Sequence, residues 1–437
     1  MRDTSRTVKL RILPLLLILA LLAAACNDSD FESDDEGAAG PAPNAEAGDE
    51  EGGEDGADDA AAPEGGQELS LAGFASSQAE DEQLGAILDS YATDSGNTVE
   101  FNPSPDYDTT LQASLAAGDP PDVFYVNDNR IPDLAEAGTL APMEDNVADP
   151  DDFYPALQQA FTFEETLYCP PKDFSTLALQ YNTDLFDEAG LEPPTNWDEL
   201  ESAAEQLTSG DTVGLALAPE FFRWGVFAVQ AGGELANEDR TAMTVTDGPM
   251  EEGFSYVKNL YDQGWAATPA DLDAGWAGEA FGQGKAAMTI EGNWIVPALR
   301  NDFPDVNWAV AELPEGPAGK GTFAFSVCYA VAVNADNPEA SWDLVDYLVS
   351  PEQQLEFTSQ FPVMPSRQSL RDGWLEANPD LEAHLNAAEY AGAPVYVPGF
   401  QSVLDTVNDG IQGIADGSKE VQDVLEDTQS AGESVLG

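Results

Sequence analysis

The chain has 437 residues, room for two domains of ordinary size, and carries 82 Asp and Glu against 15 Lys and Arg, a formal net charge of −67. So acidic a surface excludes nucleic-acid binding, which needs a basic face, and direct adhesion to anionic lipid. It points to a high-salt habitat in which counterions screen self-repulsion, and a melting temperature that rises with added salt is the expected signature.

Arg2, Arg6, Lys9 and Arg11 form a positive n-region, and "ILPLLLILALLAAAC" follows as an apolar run too short to span a bilayer comfortably. It ends on Cys26 rather than on A-x-A and resembles the lipobox of bacterial lipoproteins. Residues 1–26 therefore read as an export signal. The resemblance implies that the Cys26 sulfur takes a diacylglycerol, anchoring the chain on the outer face of the cell membrane. Residues 27–67 contain one aromatic and no Lys or Arg among Gly, Ala, Pro and acids. Such a segment cannot bury enough apolar surface to offset chain entropy, and reads as a disordered acidic tether.

The folded body begins at "ELSLAGFASS", an alternating strand running into a loop. "EDEQLGAILDSYATDSG" has helical spacing, "NTVEFNPSP" reads as a strand, "DTTLQASLAAGDPP" as a helix, and "DVFYVN" as a strand buried on both faces. The alternation recurs. "STLALQYN", "DTVGLALA", "AAMTIEG" and "SVCYAVAVN" read as strands; "TDLFDEAG", "NWDELESAAEQLTSG", "EEGFSYVKNLYDQG" and "EASWDLVDYLVSPEQQLEF" read as helices. Asn196 is placed as a helix cap with Glu199 at the capping-box position, and the C-terminal third is helical. This is an α/β protein with strands for two sheets, and strand–helix alternation predicts that they are parallel.

Ligands of open α/β sheets bind beyond the carboxyl ends of strands, which directs attention to "FASSQ", "NDNR", "PEFFRWG" and "EGNW". Their mixture of aromatics and polar side chains suits a ligand with an apolar face and a hydroxyl rim. "GQGK" at 282–285 is no phosphate loop: Glu279 stands where the first glycine belongs and Ala286 where Ser or Thr should follow. His384 is the only histidine, in a segment that reads as a solvated helix, so a Ser-His-Asp set is not in view. No His/Cys cluster has zinc spacing, and no cofactor is called for. The chain does not read as an enzyme.

Four stretches in order, "LAAGDPPDVFYVNDNRIPDLAEAGTLAPME", "LALQYNTDLFDEAGLEPPTNWDEL", "AFGQGKAAMTIEGNW" and "NPEASWDLVDYLVSPEQQLEF", resemble the bacterial extracellular solute-binding proteins of ABC importers, in the group that includes maltose-binding protein. The resemblance implies a two-lobe periplasmic-binding-protein fold, type II-like, with hinge strands between the lobes. Lobe 1 would hold 68–171 plus 327–362, and lobe 2 would hold 172–326 plus 363–437. It further implies a monomer that captures a sugar or oligosaccharide and delivers it to a membrane permease. A polyamine or other solute in the same fold, or a tethered carbohydrate-active hydrolase, are the alternatives. Cys169 and Cys328 fall at different crossings between the lobes, and on this resemblance they are expected to be bonded.

The resemblance also supplies site residues. Trp294 matches a tryptophan that stacks on a sugar ring. Glu220, Phe221 and Trp224 match a segment that supplies an acid and a stacking aromatic, with Phe221 in place of the usual tyrosine. Asn127, Asp128 and Asn129 lie in a loop whose counterparts bind hydroxyls. At the hinge Ser175 stands where an acid is usual, with Asp173 placed to take over its contact. Ser76, Trp276 and Phe400 complete the set.

Overall fold

The computed structural model describes residues 66–75, 78–237, 240–393 and 396–437. The signal segment, Cys26, almost all of the tether and Ser76 lie outside the described residues. The described residues belong to one compact unit. Along it run β1 (Glu68–Phe74), β2 (Thr98–Ser104), β3 (Val123–Asn127), the hairpin β4 (Thr162–Phe163) and β5 (Thr166–Leu167), β6 (Ser175–Asn182), β7 (Val213–Ala216), β8 (Ala266–Ala267), β9 (Ala286–Gly292), β10 (Trp308–Ala311), β11 (Thr322–Phe325), β12 (Val327–Val331) and β13 (Ala391–Gly392).

Two sheets organise the body, one for each lobe. The first has the order β12-β3-β1-β2, and β1 is parallel to both β2 and β3. The second has the order β13-β11-β6-β9-β7-β8, with β10 also paired to β6. Neither is purely parallel, which corrects the expectation from alternation. β12 runs antiparallel to β3, and β6 runs antiparallel to β9, β10 and β11. The odd strands are those that follow a crossing: β6 comes after the β4–β5 hairpin and the crossing at 169–174, and β12 follows β11 with one residue between. No crossover helix turns the chain round before they pair.

Each sheet has its own core. Leu71, Phe124, Tyr125, Val331 and Leu344 belong to that of the first, and Leu177, Trp224, Phe254, Ile290 and Val407 to that of the second. Between them three segments lie side by side. The Lys172 N–H donates to the Val327 carbonyl at 2.8 Å, and Phe174 and Met364 exchange backbone bonds at 2.8 and 2.9 Å. Cys169 and Cys328 are disulfide-bonded, with Cα atoms 5.6 Å apart. Both are fully buried in the first core, so the bond fastens two crossing segments to that lobe and leaves the second untethered.

Local sequence explains most boundaries, with three departures. Asn196 caps the helix Trp197–Leu207 by accepting from the Glu199 N–H at 3.0 Å, but Glu199 reaches past Asn196 to accept from the N–H and hydroxyl of Thr195. The long helix read at 339–357 is two, Pro338–Leu348 and Pro351–Gln360: proline lacks the N–H and clashes with the preceding turn, and Ser350 caps the new start. His384 is fully buried, not solvated. Its Nδ1 lies 2.8 Å from the Thr176 carbonyl, and burial pushes its pKa down to about 4.

Candidate ligand-binding cleft

Between the sheets lies a cleft of about 490 Å³. Seven of the expected residues line it: Asn127, Asp128 and Asn129 after β3, Asp173 and Ser175 at the crossing, Glu220, and Trp294 after β9. Asn127, Glu220 and Trp294 stand at or beyond the carboxyl ends of β3, β7 and β9, whereas Asp173 and Ser175 stand at the amino end of β6, which runs antiparallel to β9 and so opens on the same space.

Each wall carries a buried cation that sequence reasoning either left out of the site or missed. Where the crossing meets the first lobe, Lys172 is 4% exposed and bonds Glu80 at 2.8 Å and Asp173, with its ammonium 4.5 Å from the centre of the Phe357 ring. Burial opposes its charge, but Asp173 and Glu80 outweigh that, and its pKa is raised. Burial raises the Glu80 carboxyl against the pull of Lys172. On the second lobe Arg223 bonds Glu291 at 2.6 Å and Glu220 at 3.1 Å. Burial again works against the cation, and the two carboxylates more than offset it.

Trp294 completes the second wall. Its Nε1 donates to Glu291 at 3.1 Å, Phe325 meets it edge-on at 5.3 Å, and the Arg223 guanidinium lies 5.4 Å from its ring centre. A Cβ on Gly292 would run into the indole, so only glycine there lets the ring lie against the backbone. Beside the cleft a recess of about 410 Å³ shares Glu220, Arg223 and Trp294 and adds Trp276, Glu291 and Gln412. Trp276 lies over Gly278 in the same way.

Three expected residues do not face the cleft. Trp224 is fully buried against Phe254 and Tyr261, Phe221 packs on Phe323, and Phe400 is 1% exposed in the second core. The cause is helical phase. Phe221 and Trp224, three residues apart, share the inward face of the helix Phe221–Gln230, and the cleft receives Phe222 instead, edge-on to Phe325 at 5.5 Å. Asn129 is at the cleft, but its amide donates to Gln401 at 2.7 Å. Asp128 accepts from the Asn129 N–H at 2.9 Å, and burial pushes its pKa up to about 7. The missed residues, Glu80, Phe222, Arg223 and Glu291, left one signal in the sequence. In a chain with 15 Lys and Arg, four of them in the first eleven residues, a cation inside an apolar stretch is informative.

Known proteins share this architecture. An ABC substrate-binding protein of Listeria monocytogenes, solved in complex with cycloalternan, is 25% identical and superposes with a TM-score of 0.78 over 85% of this chain and 99% of its own. A maltotriose-binding protein of Pyrococcus abyssi is 24% identical over 73% of this chain and 70% of its own. A maltooligosaccharide ABC transporter solute-binding lipoprotein of Streptococcus pneumoniae is 26% identical over 60% of this chain and 64% of its own. A family model described as bacterial extracellular solute-binding protein matches residues 86–383, more than half of the chain. With two sheets, chain crossings and a cleft between them, the chain belongs to the bacterial extracellular solute-binding protein family.

Proposed function

We propose that the chain is the solute receptor of an ABC importer, that its solute is a carbohydrate held between the lobes, and that it hands this solute to a membrane permease. The observation that carries the reading is the Trp294 indole, fixed against Gly292 by close packing and against Glu291 by its N–H, at the edge of a cleft of ion-paired carboxylates. An indole offers a broad apolar face to the C–H side of a pyranose, while carboxylates, amides and hydroxyls bond its rim. Asn127, Asp128, Asp173, Ser175 and Glu220 are the partners proposed for the hydroxyls. Trp276 in the adjoining recess extends the surface beyond one ring, which favours an oligosaccharide.

The paired cations favour a neutral solute. Glu80 and Asp173 already share Lys172, and Glu220 and Glu291 share Arg223. A polyamine would have to compete with these two cations for the four carboxylates, whereas a polyol can bond their remaining lone pairs without displacing either cation. Closure follows from differential affinity: a solute that touches both walls favours the arrangement in which both can reach it. Residues 68–171 with 327–362 and 172–326 with 363–437 are the bodies proposed to move. No helix among the described residues is long and apolar enough to cross a membrane. The anchor proposed is lipid on Cys26, with residues 27–67 as the tether.

Calorimetric titration with a panel of mono- and oligosaccharides and with spermidine tests the reading. Saturable one-to-one binding of a saccharide is expected. Binding of spermidine with silence from every sugar would replace the substrate while keeping the fold.

A further inference from the structure

The segment "VPGFQS" does not reach the cleft through Phe400; that ring is an anchor in the second core. What the segment presents to the first lobe is Gly399 and Gln401. Gly399 has φ +80°, a left-handed conformation that glycine adopts without strain, and its N–H donates to Asp133 Oδ1 at 2.7 Å. Gln401 Oε1 accepts from Asn129 Nδ2, also at 2.7 Å. Asn129 and Asp133 belong to the turn and helix that leave β3 in the first lobe, whereas Tyr396, Phe400 and Val403 are core residues of the second. Beside these bonds Asp128 and Thr162 of the first lobe face Arg240 and Tyr396 across a space of about 10 Å³, too small for a solute.

We infer that Asn129–Gln401 and Asp133–Gly399 form a latch that biases the lobes towards the closed arrangement before a solute arrives. The inference rests on reading the cleft as the binding site between the lobes. Each bond joins two protein groups and needs no ligand. Both are exposed and modest, but they act on one opening equilibrium, so together they shift the ratio of closed to open by roughly fivefold. Asn129 adjoins Asn127 and Asp128, which line the cleft, so solute contacts and latch share one turn. Losing the latch weakens solute binding by up to the same factor, because a smaller fraction of the protein is then ready to bind.

The test uses the full chain, without added sugar, carrying spin labels at Glu136→Cys and Asp409→Cys in a Cys26→Ser background, which leaves the Asp405 carboxylate that accepts from Gln401 at 2.8 Å in place; the buried disulfide takes no label. Both label sites are exposed and lie on the helices that carry the latch partners. The distance between the labels is measured by pulsed dipolar spectroscopy. Asp133→Ala with Gln401→Ala is expected to move the distribution to longer distances at an unchanged melting temperature. Gln401→Ala alone, an exposed change unable to disturb the core, is expected to give part of that movement. A distribution that stays at the parent's in both variants would overturn the latch. Since no sugar is present, failure of the carbohydrate reading leaves either outcome intact.

Discussion

The two walls of the cleft solve the same problem with different materials. Each buries one cation between two carboxylates: Lys172 with Glu80 and Asp173 on one side, Arg223 with Glu220 and Glu291 on the other. The first wall is otherwise a turn of Asn127, Asp128 and Asn129, rich in hydrogen-bonding groups. The second is a run of rings, with Phe222 edge-on to Phe325 and Phe325 edge-on to Trp294. On the proposed reading, a solute with an apolar face would meet its larger complementary surface on the second wall, and its directional bonds would be made as the first closes over it. Stacking tolerates small misplacement, whereas hydrogen bonds do not. The difference therefore assigns affinity mainly to one wall and closure to the other.

The largest expected effect comes from breaking either buried charge set. Arg223→Ala leaves Glu291, 2% exposed, without its cation, and Lys172→Met leaves Glu80 at 4% exposure in the same position. Each change should cost about 3–5 kcal/mol of stability at neutral pH, measured by urea unfolding. The loss should shrink as the pH is lowered, because the buried carboxyl that has lost its cation then takes a proton. A neutral outcome would show that these charge sets do not carry the fold.

A smaller effect lies outside the cleft. His384 has its pKa lowered from 6.5 to about 4 by burial. The unfolded chain binds a proton below pH 6.5 that the native chain refuses until about pH 4, so the stability this residue supplies is present above the upper value and lost towards the lower. The loss amounts to roughly 3 kcal/mol. It should appear as the difference between parent and His384→Gln unfolding curves from pH 7 to 4.5, which removes the opposing contributions of the buried acids. A difference independent of pH would contradict the burial.

Smaller again, Trp276→Ala should weaken binding of a trisaccharide by about 1 kcal/mol and leave that of a disaccharide unchanged, since its ring serves the recess alone. Equal loss for both, by calorimetry, would merge cleft and recess into one subsite.

Strand and helix periodicity and most caps were legible in the sequence because each is a local pattern. The strand-end loops led to Asn127, Glu220 and Trp294 for the same reason: a turn after a strand is a place as well as a motif. Legibility failed where the answer depended on what packs from outside. The helix Phe221–Gln230 is buried on nearly every side, so its apolar period could not single out Phe222 as the residue facing the cleft. His384 sits among acids in sequence, yet β6 covers it through Thr176 and Gln180. The sense of β6 could not be read either, since the crossing that sets it has no helix to mark it.

The most direct test of the central claim is calorimetric titration of Trp294→Ala beside the parent, using the saccharide that binds best, with melting curves on both. Loss of a buried stacking face should weaken binding by about 1–3 kcal/mol, roughly 5- to 150-fold, while the melting temperature stays near the parent's. Unchanged affinity with a lowered melting temperature would make Trp294 a core residue and contradict the account.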